Sequence, residues 1–451
     1  MQRLNNKNLV PLRLSGKTMK KLTYLLILLS FYGYSQTILT KEQALNTLLE
    51  NNYDIKLSKN DIRIAENNSS IYNSKYLPTV SLGAGAQYAN MNQEIEAQNG
   101  MIANYDNSQT QNYNASLGVN YIIFNGFARK YASEQLQEQL KMSNLEADAI
   151  VEQAILDVFS NYYQTAQIAE NVSVLHEALQ ISKQRLKRTK YQYEYGQTTK
   201  LAVLNAQVDI NNDSINYINT KQLLENSKRN LLTLIGDTKS KNFNIETGVQ
   251  FVAIPTLEVL LADIPQNAKI KQLEKALEIG EYGIKISESS YLPTLGVNTS
   301  YSWNTGLFPE TSQTVRTMNY GLNAGLSLNW NIFDGGATKT RVQNAKINQE
   351  NQILRKEQVE KQVENFITNT YYNYQNKRLV LVTQEQNLQT AERNFQRTTE
   401  MFKIGSVSSV EYRQAQLNLL NAQTAILRAK YDAKIVELQL LQLTGRLMDG
   451  L

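Results

Sequence analysis

The side chains that do most biological chemistry are scarce in this chain of 451 residues. It has no cysteine and one histidine, His176. A histidine acting as general acid or base needs a carboxylate or nucleophile beside it. His176 instead flanks an apolar stripe of helical spacing, Ile168, Val172, Leu175 and Leu179, and reads as a surface position on a packed helix. Without cysteine there is no disulfide, no thiolate metal site and no lipid anchor on an N-terminal cysteine. No phosphate-cradling glycine loop and no metal-ligand spacing occurs. The sequence predicts no enzyme, no cofactor and no bound metal.

The elements that must carry the function show themselves by pattern. Residues 1–35 hold Arg3, Lys7, Arg13, Lys17, Lys20 and Lys21 and no acid. Within them, Met19, Lys20 and Lys21 precede the apolar run Leu22–Leu29, and the small residues Gly33 and Ser35 follow. This is a secretory signal pattern with Met19 as its start and cleavage near Ser35–Gln36. Removing these residues leaves 40 basic and 41 acidic side chains, net −1, which gives no electrostatic basis for a nucleic-acid partner. No later stretch approaches 18 consecutive apolar residues. Any membrane the exported protein crosses must be crossed by strands.

The rest is one plan used twice. "YLPT" at Tyr76–Thr79 returns at Tyr291–Thr294, and "IFNG" at Ile123–Gly126 returns as "IFDG" at Ile332–Gly335. An offset of 209 maps Tyr162–Tyr163 onto Tyr371–Tyr372, Gly196 onto Gly405, Ala206–Gln207 onto Ala415–Gln416 and Gly236 onto Gly445, with no insertion from Phe124 to Gly236. The predicted divisions are a first repeat over 36–236, a linker over 237–262, a second repeat over 263–446 and a tail over 447–451. Predicted elements of the first repeat are a helix over 41–75, strands over 79–90 and 112–123, and helices over 127–195 and 199–235. The second gives 265–290, 294–304, 318–332, 337–404 and 408–443. Pro78 and Pro293 sit where helix gives way to strand.

All four strands alternate. Val80, Leu82, Ala84, Ala86 and Tyr88 oppose Ser81, Gly83, Gly85 and Gln87, and Tyr320, Leu322, Ala324, Leu326, Leu328 and Trp330 oppose Gly321, Asn323, Gly325, Ser327 and Asn329. The predicted strands carry no charge, although 19% of the chain is charged. A lipid-facing charge costs about 2–4 kcal/mol at mid-membrane, so membrane strands avoid it. Tyr88, Tyr121, Trp303 and Trp330 fit an interfacial aromatic girdle. Charge returns in the loops 91–111 and 305–317, expected outside the cell. Four strands cannot close a barrel, and an open edge in lipid leaves backbone groups unpaired. Two chains would give eight strands and three would give twelve; an eight-stranded barrel is filled by its own side chains, so twelve suits a channel. The helices of 68–69 residues span roughly 100 Å. Stripes such as Val151, Ile155, Val158 and Tyr162 follow coiled-coil spacing. Two short helices laid end to end would match each long one, predicting a helical cylinder continuous with the strands.

Taken together, the duplicated unit, the "FNG" and "FDGG" strand-to-helix junctions and the turns "YEYGQTTKLAVLNAQ" and "FKIGSVSSVEYRQAQ" resemble the TolC-like outer-membrane efflux proteins over essentially the whole mature chain. The resemblance implies a mostly α fold with membrane β-structure. It would be a homotrimer with a twelve-stranded outer-membrane barrel continuous with a long periplasmic α-helical coiled-coil barrel. It implies an exit duct of tripartite efflux or type I secretion, fed by an inner-membrane pump of RND, ABC or similar class through a periplasmic adaptor protein. The hairpin tips Gly196, Gln197, Thr198 and Gly405, Ser406, Val407 would meet that adaptor. Glu411, six residues after Gly405, stands where some relatives narrow the entrance with acidic rings; Gln414 departs from that pattern, and the first repeat has Ala202 at the equivalent of Glu411. A ring of three Glu411 carboxylates and a solvated helix-face glutamate are both open readings. The linker around "FVAIP" (Phe251 to Pro255) would join a band around the helical waist. A surface fibre or adhesin with a trimeric stalk, and a passive outer-membrane pore, are the competing classes. The first favours one anchor at a chain end, and the second carries its strands in one chain without long helices.

Overall fold

The computed structural model describes residues 37–73, 75–237, 243–309, 312 and 314–450; the signal-segment expectation for residues 1–35 lies outside them. The first repeat runs β1 (Thr37–Leu39), α1 (Lys41–Asn51), α2 (Tyr53–Ser69), β2 (Thr79–Glu96), β3 (Ile102–Asn125), α3 (Ala128–Glu194) and α4 (Lys200–Ile235). There follow β4 (Phe243–Ile245), α5 (Leu257–Ala262), α6 (Ala268–Glu288), β5 (Thr294–Leu307), β6 (Arg316–Asn329), α7 (Ala337–Lys403) and α8 (Ser409–Leu443).

Neither long stretch contains glycine or proline, and each becomes one helix of 67 residues. At 1.5 Å per residue each is roughly 100 Å long. The second hairpin starts 209 residues after the first at both of its helices, α7 at Ala337 against α3 at Ala128, and α8 at Ser409 against α4 at Lys200. Short helices lie along the long ones in pairs: α2 and α4 on α3, and α6 and α8 on α7, with α6 and α8 also packed against α3.

Where the short helices meet end to end, the same joint is built twice. Asn52 caps α2 by accepting from the Ile55 amide at 3.0 Å, and its Nδ2 donates to the Leu234 carbonyl of α4 at 2.8 Å. Asn267 caps α6, and its Nδ2 donates to the Leu443 carbonyl of α8 at 2.9 Å. Each asparagine therefore satisfies orphan groups at the start of one helix and the end of another. Around these joints lies the apolar core. One part gathers Leu48, Ile155, Phe159, Tyr162, Tyr163, Leu231 and Tyr431, and the other Leu260, Ile270, Ile367, Tyr374 and Leu440. The parallel β1–β4 pair and the buried ion pair Lys434–Glu437, 2.6 Å, close the same waist. Burial pushes the Lys434 pKa down while Glu437 opposes it.

The structure corrects several expected boundaries. The first helix is not continuous over 41–75. It breaks at Asn52, whose side chain caps α2, and it ends at Ser69. Residues 91–111 are not a plain loop: the β2–β3 ladder continues to Glu96↔Ile102 with an irregularity between Met91 and Gln93. Glu94, Glu96 and Asp106 therefore lie within strands, and Arg316 opens β6, so the strands are uncharged only over their lower parts. Backbone pairing between two extended segments continues with polar side chains once neither face is required to be apolar, which alternation alone does not reveal. β6 stops at Asn329 rather than 332, and the linker holds the short α5 and β4.

The long strands form one antiparallel sheet in the order β2-β3-β5-β6. Its register aligns the alternating faces. Leu82, Leu117, Tyr301 and Leu322 lie in one row across the four strands, and Val80, Val119, Thr299 and Ala324 in another. On the opposite face the rows read Gly83, Ser116, Ser302, Gly321 and Ser81, Gly118, Ser300, Asn323. β2 and β6 are edge strands with no further neighbour among the described residues.

Candidate functional site

Each hairpin must reverse a 100 Å helix within a few residues, and both do so the same way. Gly196 and Gly405 adopt φ of +71° and +78°, a conformation glycine enters without a Cβ penalty. The Gln197 amide then donates to the Gln192 carbonyl at 2.7 Å, and the Ser406 amide to the Met401 carbonyl at 2.9 Å. Thr198 and Val407 are half-buried, and Gln197 and Ser406 exposed. The returning helices are capped by Thr199, which accepts from the Ala202 amide at 3.3 Å, and by Ser408, which accepts from the Glu411 amide at 3.2 Å.

Only the second tip completes a capping box. A Glu411 carboxylate oxygen accepts the Ser408 backbone N–H at 2.7 Å, and this bond, with that from the Ser408 side chain, holds its pKa below the ordinary range. Ser408 and Glu411 have the S-x-x-E spacing of that box. Gln414 reaches only Asn418, at 2.9 Å. Four exposed apolar residues flank the turns in equivalent pairs, Tyr195 with Ile404 (79% and 78%) and Leu201 with Val410 (65% and 68%). None of them belongs to the glycine turn itself, although their recurrence at the offset of 209 marks them in the sequence.

Behind the tips, three helices are pinned by charge. Arg413 of α8 makes a two-pronged contact with Asp213 of α4, both bonds 2.8 Å, and also donates to Ser182 of α3 at 3.2 Å. Ser182 Oγ donates to Asp213 at 2.5 Å, and Gln416 donates to Ser182 Oγ at 2.9 Å and to the Ala178 carbonyl at 3.0 Å. Arg185 donates to Asp209 and, at 3.2 Å, to the Ser409 carbonyl. Ser182, Arg185, Asp213 and Gln416 are buried. Arg188 donates to the Lys403 carbonyl and lies 5.5 Å over the Phe402 ring, which stacks on Tyr412 at 4.6 Å. The cluster therefore ties the first hairpin to the second at their closed ends. No local pattern pairs Asp213 with Arg413, because they stand 200 residues apart.

At the other end of the molecule, Tyr88, Tyr121 and Trp303 lie on the apolar face, and Trp330 stands just beyond the end of β6. Tyr121 pairs with Val297 and Trp303 with Tyr320, while Tyr88 pairs with Gln111 near the upper end of β5. Trp330 follows the last residue of β6 and donates its indole N–H to the Tyr291 carbonyl at 3.1 Å. Trp330 and Trp303 are thus roughly ten residues apart along the strands, about 33 Å. His176 is exposed, 5.3 Å from the Tyr217 ring, and its Nε2 lies 3.3 Å from the Gln180 side-chain amide. Among the described residues no cluster of His, Asp and Glu could hold a metal ion, and no helix is long and apolar enough to cross a membrane.

A family model described as outer membrane efflux protein matches residues 44–237 and 264–446. The outer membrane efflux protein BepC of Brucella suis is 22% identical over 440 residues, covering 92% of this chain and 88% of that protein. The outer membrane protein TolC of Escherichia coli is 22% identical over 444 residues, covering 95% and 87%. Among solved structures, the Campylobacter jejuni CmeC outer membrane channel superposes with a TM-score of 0.75 at 19% identity, covering 90% of this chain and 86% of that one.

Proposed function

This chain belongs to the outer membrane efflux protein family, whose members are outer-membrane channels and not enzymes, and on that premise we propose that three copies form the exit duct of a pump–adaptor assembly. The observation that carries the reading is the sheet. Over the lower parts of its strands one face is apolar and uncharged, the other is built of Gly, Ser and Asn, and two edges are open. Edge β6 of one copy pairing with edge β2 of the next gives twelve strands and leaves no unpaired edge in lipid. The small polar face then lines a wide lumen, and the aromatic residues sit at the two lipid–water boundaries.

The helical hairpins extend the tube into the periplasm. Their tips, Gly196, Gln197, Thr198 and Gly405, Ser406, Val407, meet a periplasmic adaptor, with Tyr195, Leu201, Ile404 and Val410 as its apolar contacts. An inner-membrane pump of RND, ABC or similar class delivers the cargo, small molecules or proteins. The Arg413–Asp213 cluster holds the hairpins together at the entrance. Three Glu411 carboxylates around it present a ring that favours cations.

Single-channel conductance of the purified protein in a planar bilayer tests this. Small, infrequent, cation-preferring currents are expected. Glu411→Gln keeps the capping pattern and should lower cation preference and divalent-ion block. Unchanged selectivity removes the ring, large steady currents favour a passive pore, and silence across many insertions favours a surface fibre.

A further inference from the structure

Where the sheet gives way to helices, the β3–α3, α6–β5 and β6–α7 junctions meet, and they are packed unequally. A Cβ on Gly126, whose φ is +64°, would stand 2.3 Å from the Ser289 carbonyl oxygen, so the first two junctions leave no room for a side chain between them. Nothing approaches the Cβ positions of Gly335 and Gly336 within 4 Å, and the third junction stands off. The gap is a cavity of about 420 Å³, within the range of small-molecule sites. Its strand residues, Ile122, Asn125, Thr294 and Asn329, belong to the polar face of the sheet. Ile122 pairs with Gly296, opposite Ser327, and Asn125 pairs with Thr294, opposite Asn329. In the duct that face is the luminal one.

The polar face of the lower strands has no ionisable side chain, yet two charges line this cavity, Asp334 and Arg341. Asp334 accepts from the Gly336 amide at 3.1 Å and from the Thr338 amide and hydroxyl at 2.8 and 2.6 Å. These bonds, the Thr338 hydroxyl's foremost, hold its pKa below the ordinary carboxylate value. Arg341 is exposed and donates to Ser290 Oγ at 3.3 Å. Neither meets a charged partner among the described residues, and the Asn329 and Asn331 side chains make no hydrogen bond among them. The first repeat has Asn125 at the place of Asp334 and Ala132 at the place of Arg341. Asn125 holds the Arg129 amide at 3.2 Å just as Asp334 holds that of Thr338. Starting the long helix therefore needs neither charge.

We infer that this cavity is a solute-binding station in the duct wall, one per copy, for a small zwitterion of dipeptide size that carries an ammonium and a carboxylate on an apolar body. This rests on the duct proposed above, which makes the polar face luminal. The ammonium meets Asp334, and the carboxylate meets the Arg341 guanidinium, which keeps donors beyond its bond to Ser290. The Asn329 and Asn331 amides take the ligand's own amide, and Leu292 and Ala128 line the apolar side. The charges of a dipeptide stand about 6 Å apart, inside the about 10 Å that separates Asp334 from Arg341 along the helix axis. A simple anion would face Asp334 and a simple cation would face Arg341, whereas a ligand of both signs opposes neither. A ligand of this size binds with a Kd of about 1 mM, weak enough for a passing cargo to leave.

Binding of the dipeptide alanyl-leucine to the full-length protein in mild detergent, followed by saturation-transfer NMR, tests the station without calling on conductance. Binding should saturate, and it should weaken about tenfold when acetylation removes the ammonium or amidation removes the carboxylate. Asp334→Asn and Arg341→Ala place the first repeat's own residues in the second, and circular dichroism should match the parent. Asp334→Asn should erase the preference over the acetylated form, and Arg341→Ala the preference over the amidated form. Equal binding of all three ligands to the parent, or preferences unchanged in both variants, overturns the station. In a planar bilayer the dipeptide should interrupt the single-channel current of the parent and not of Arg341→Ala. Charge-selective binding that leaves the parent current undisturbed overturns the luminal placement. A conducting protein that binds no dipeptide loses the station while the duct stands, and a protein that never conducts loses the duct.

Discussion

At the level where the first hairpin carries Ser182, Arg185, Asp209 and Asp213, the second carries Ala391, Asn394, Asn418 and Ala422. The backbone plan is the same at both places, with helices of equal length and glycine turns of nearly equal φ. The first hairpin is plugged by Arg413 from its neighbour, and the second keeps an open polar groove between α7 and α8. Duplication copies the scaffold, and divergence then assigns different contacts to equivalent surfaces. A buried carboxylate survives at Asp213 because Arg413 and Ser182 satisfy both its oxygens. No arginine reaches Ala422, so that position holds a small apolar residue.

The largest blow to this contrast is Asp213→Ala. It leaves the half-buried Arg413 beside Ser182 with only the more distant Asp209, 3.6 Å from its Nε, as a carboxylate, so the loss approaches but does not exceed the about 3–5 kcal/mol of a broken buried pair. Amide exchange should rise across the closed ends of α3, α4 and α8. Asn418→Ala breaks no ion pair and removes one neutral hydrogen bond, from Gln414, so it should change protection by no more than about 1 kcal/mol. Equal losses would remove the distinction between the hairpins.

Smaller and symmetric effects are expected at the turns. Gly196→Ala and Gly405→Ala force an L-residue into the left-handed region, about 1–2 kcal/mol each, and should act alike because both sites are sterically open. Ser408→Ala removes a cap worth about 1 kcal/mol, and Thr199→Ala should cost about the same; thermal scans combined with exchange at the tips would compare them. The finest distinction is in pH. Glu411 titrates below the usual range because the Ser408 amide and hydroxyl favour its carboxylate. Its contribution is present above the unfolded value, about 4.3, and is lost as pH falls through the lower folded value. Acidification should therefore loosen the second tip first. The first tip has Ala202 at that place, and a matching response there would sink the assignment to Glu411.

Much of the architecture is legible in the sequence. The glycine- and proline-free runs predict α3 and α7 to within a residue or two, because an uninterrupted helix ends only where a turn residue ends it. Strand alternation predicts which residues share a face, since a pleat has a period of two. The break at Asn52 was less visible. An asparagine is tolerated inside a helix, and it becomes a cap only when the end of α4 arrives to accept its amide. The charged reach of β2 and β3 is hidden for a similar reason, because its pairing partner rather than its composition makes it a strand.

The sequence by itself showed the repeat through matches 209 residues apart, and its local pattern determined the length of the helices, the place of the turns and the two characters of the sheet. Those properties depend on neighbours a few residues apart, where backbone geometry acts directly. Tertiary structure alone decided that Arg413 closes on Asp213, that Asn52 and Asn267 join short helices end to end, and that the α7–α8 groove stays open. Such contacts join residues some 180 to 200 positions apart. Their energies depend on burial and alignment that only the folded arrangement of the helices supplies.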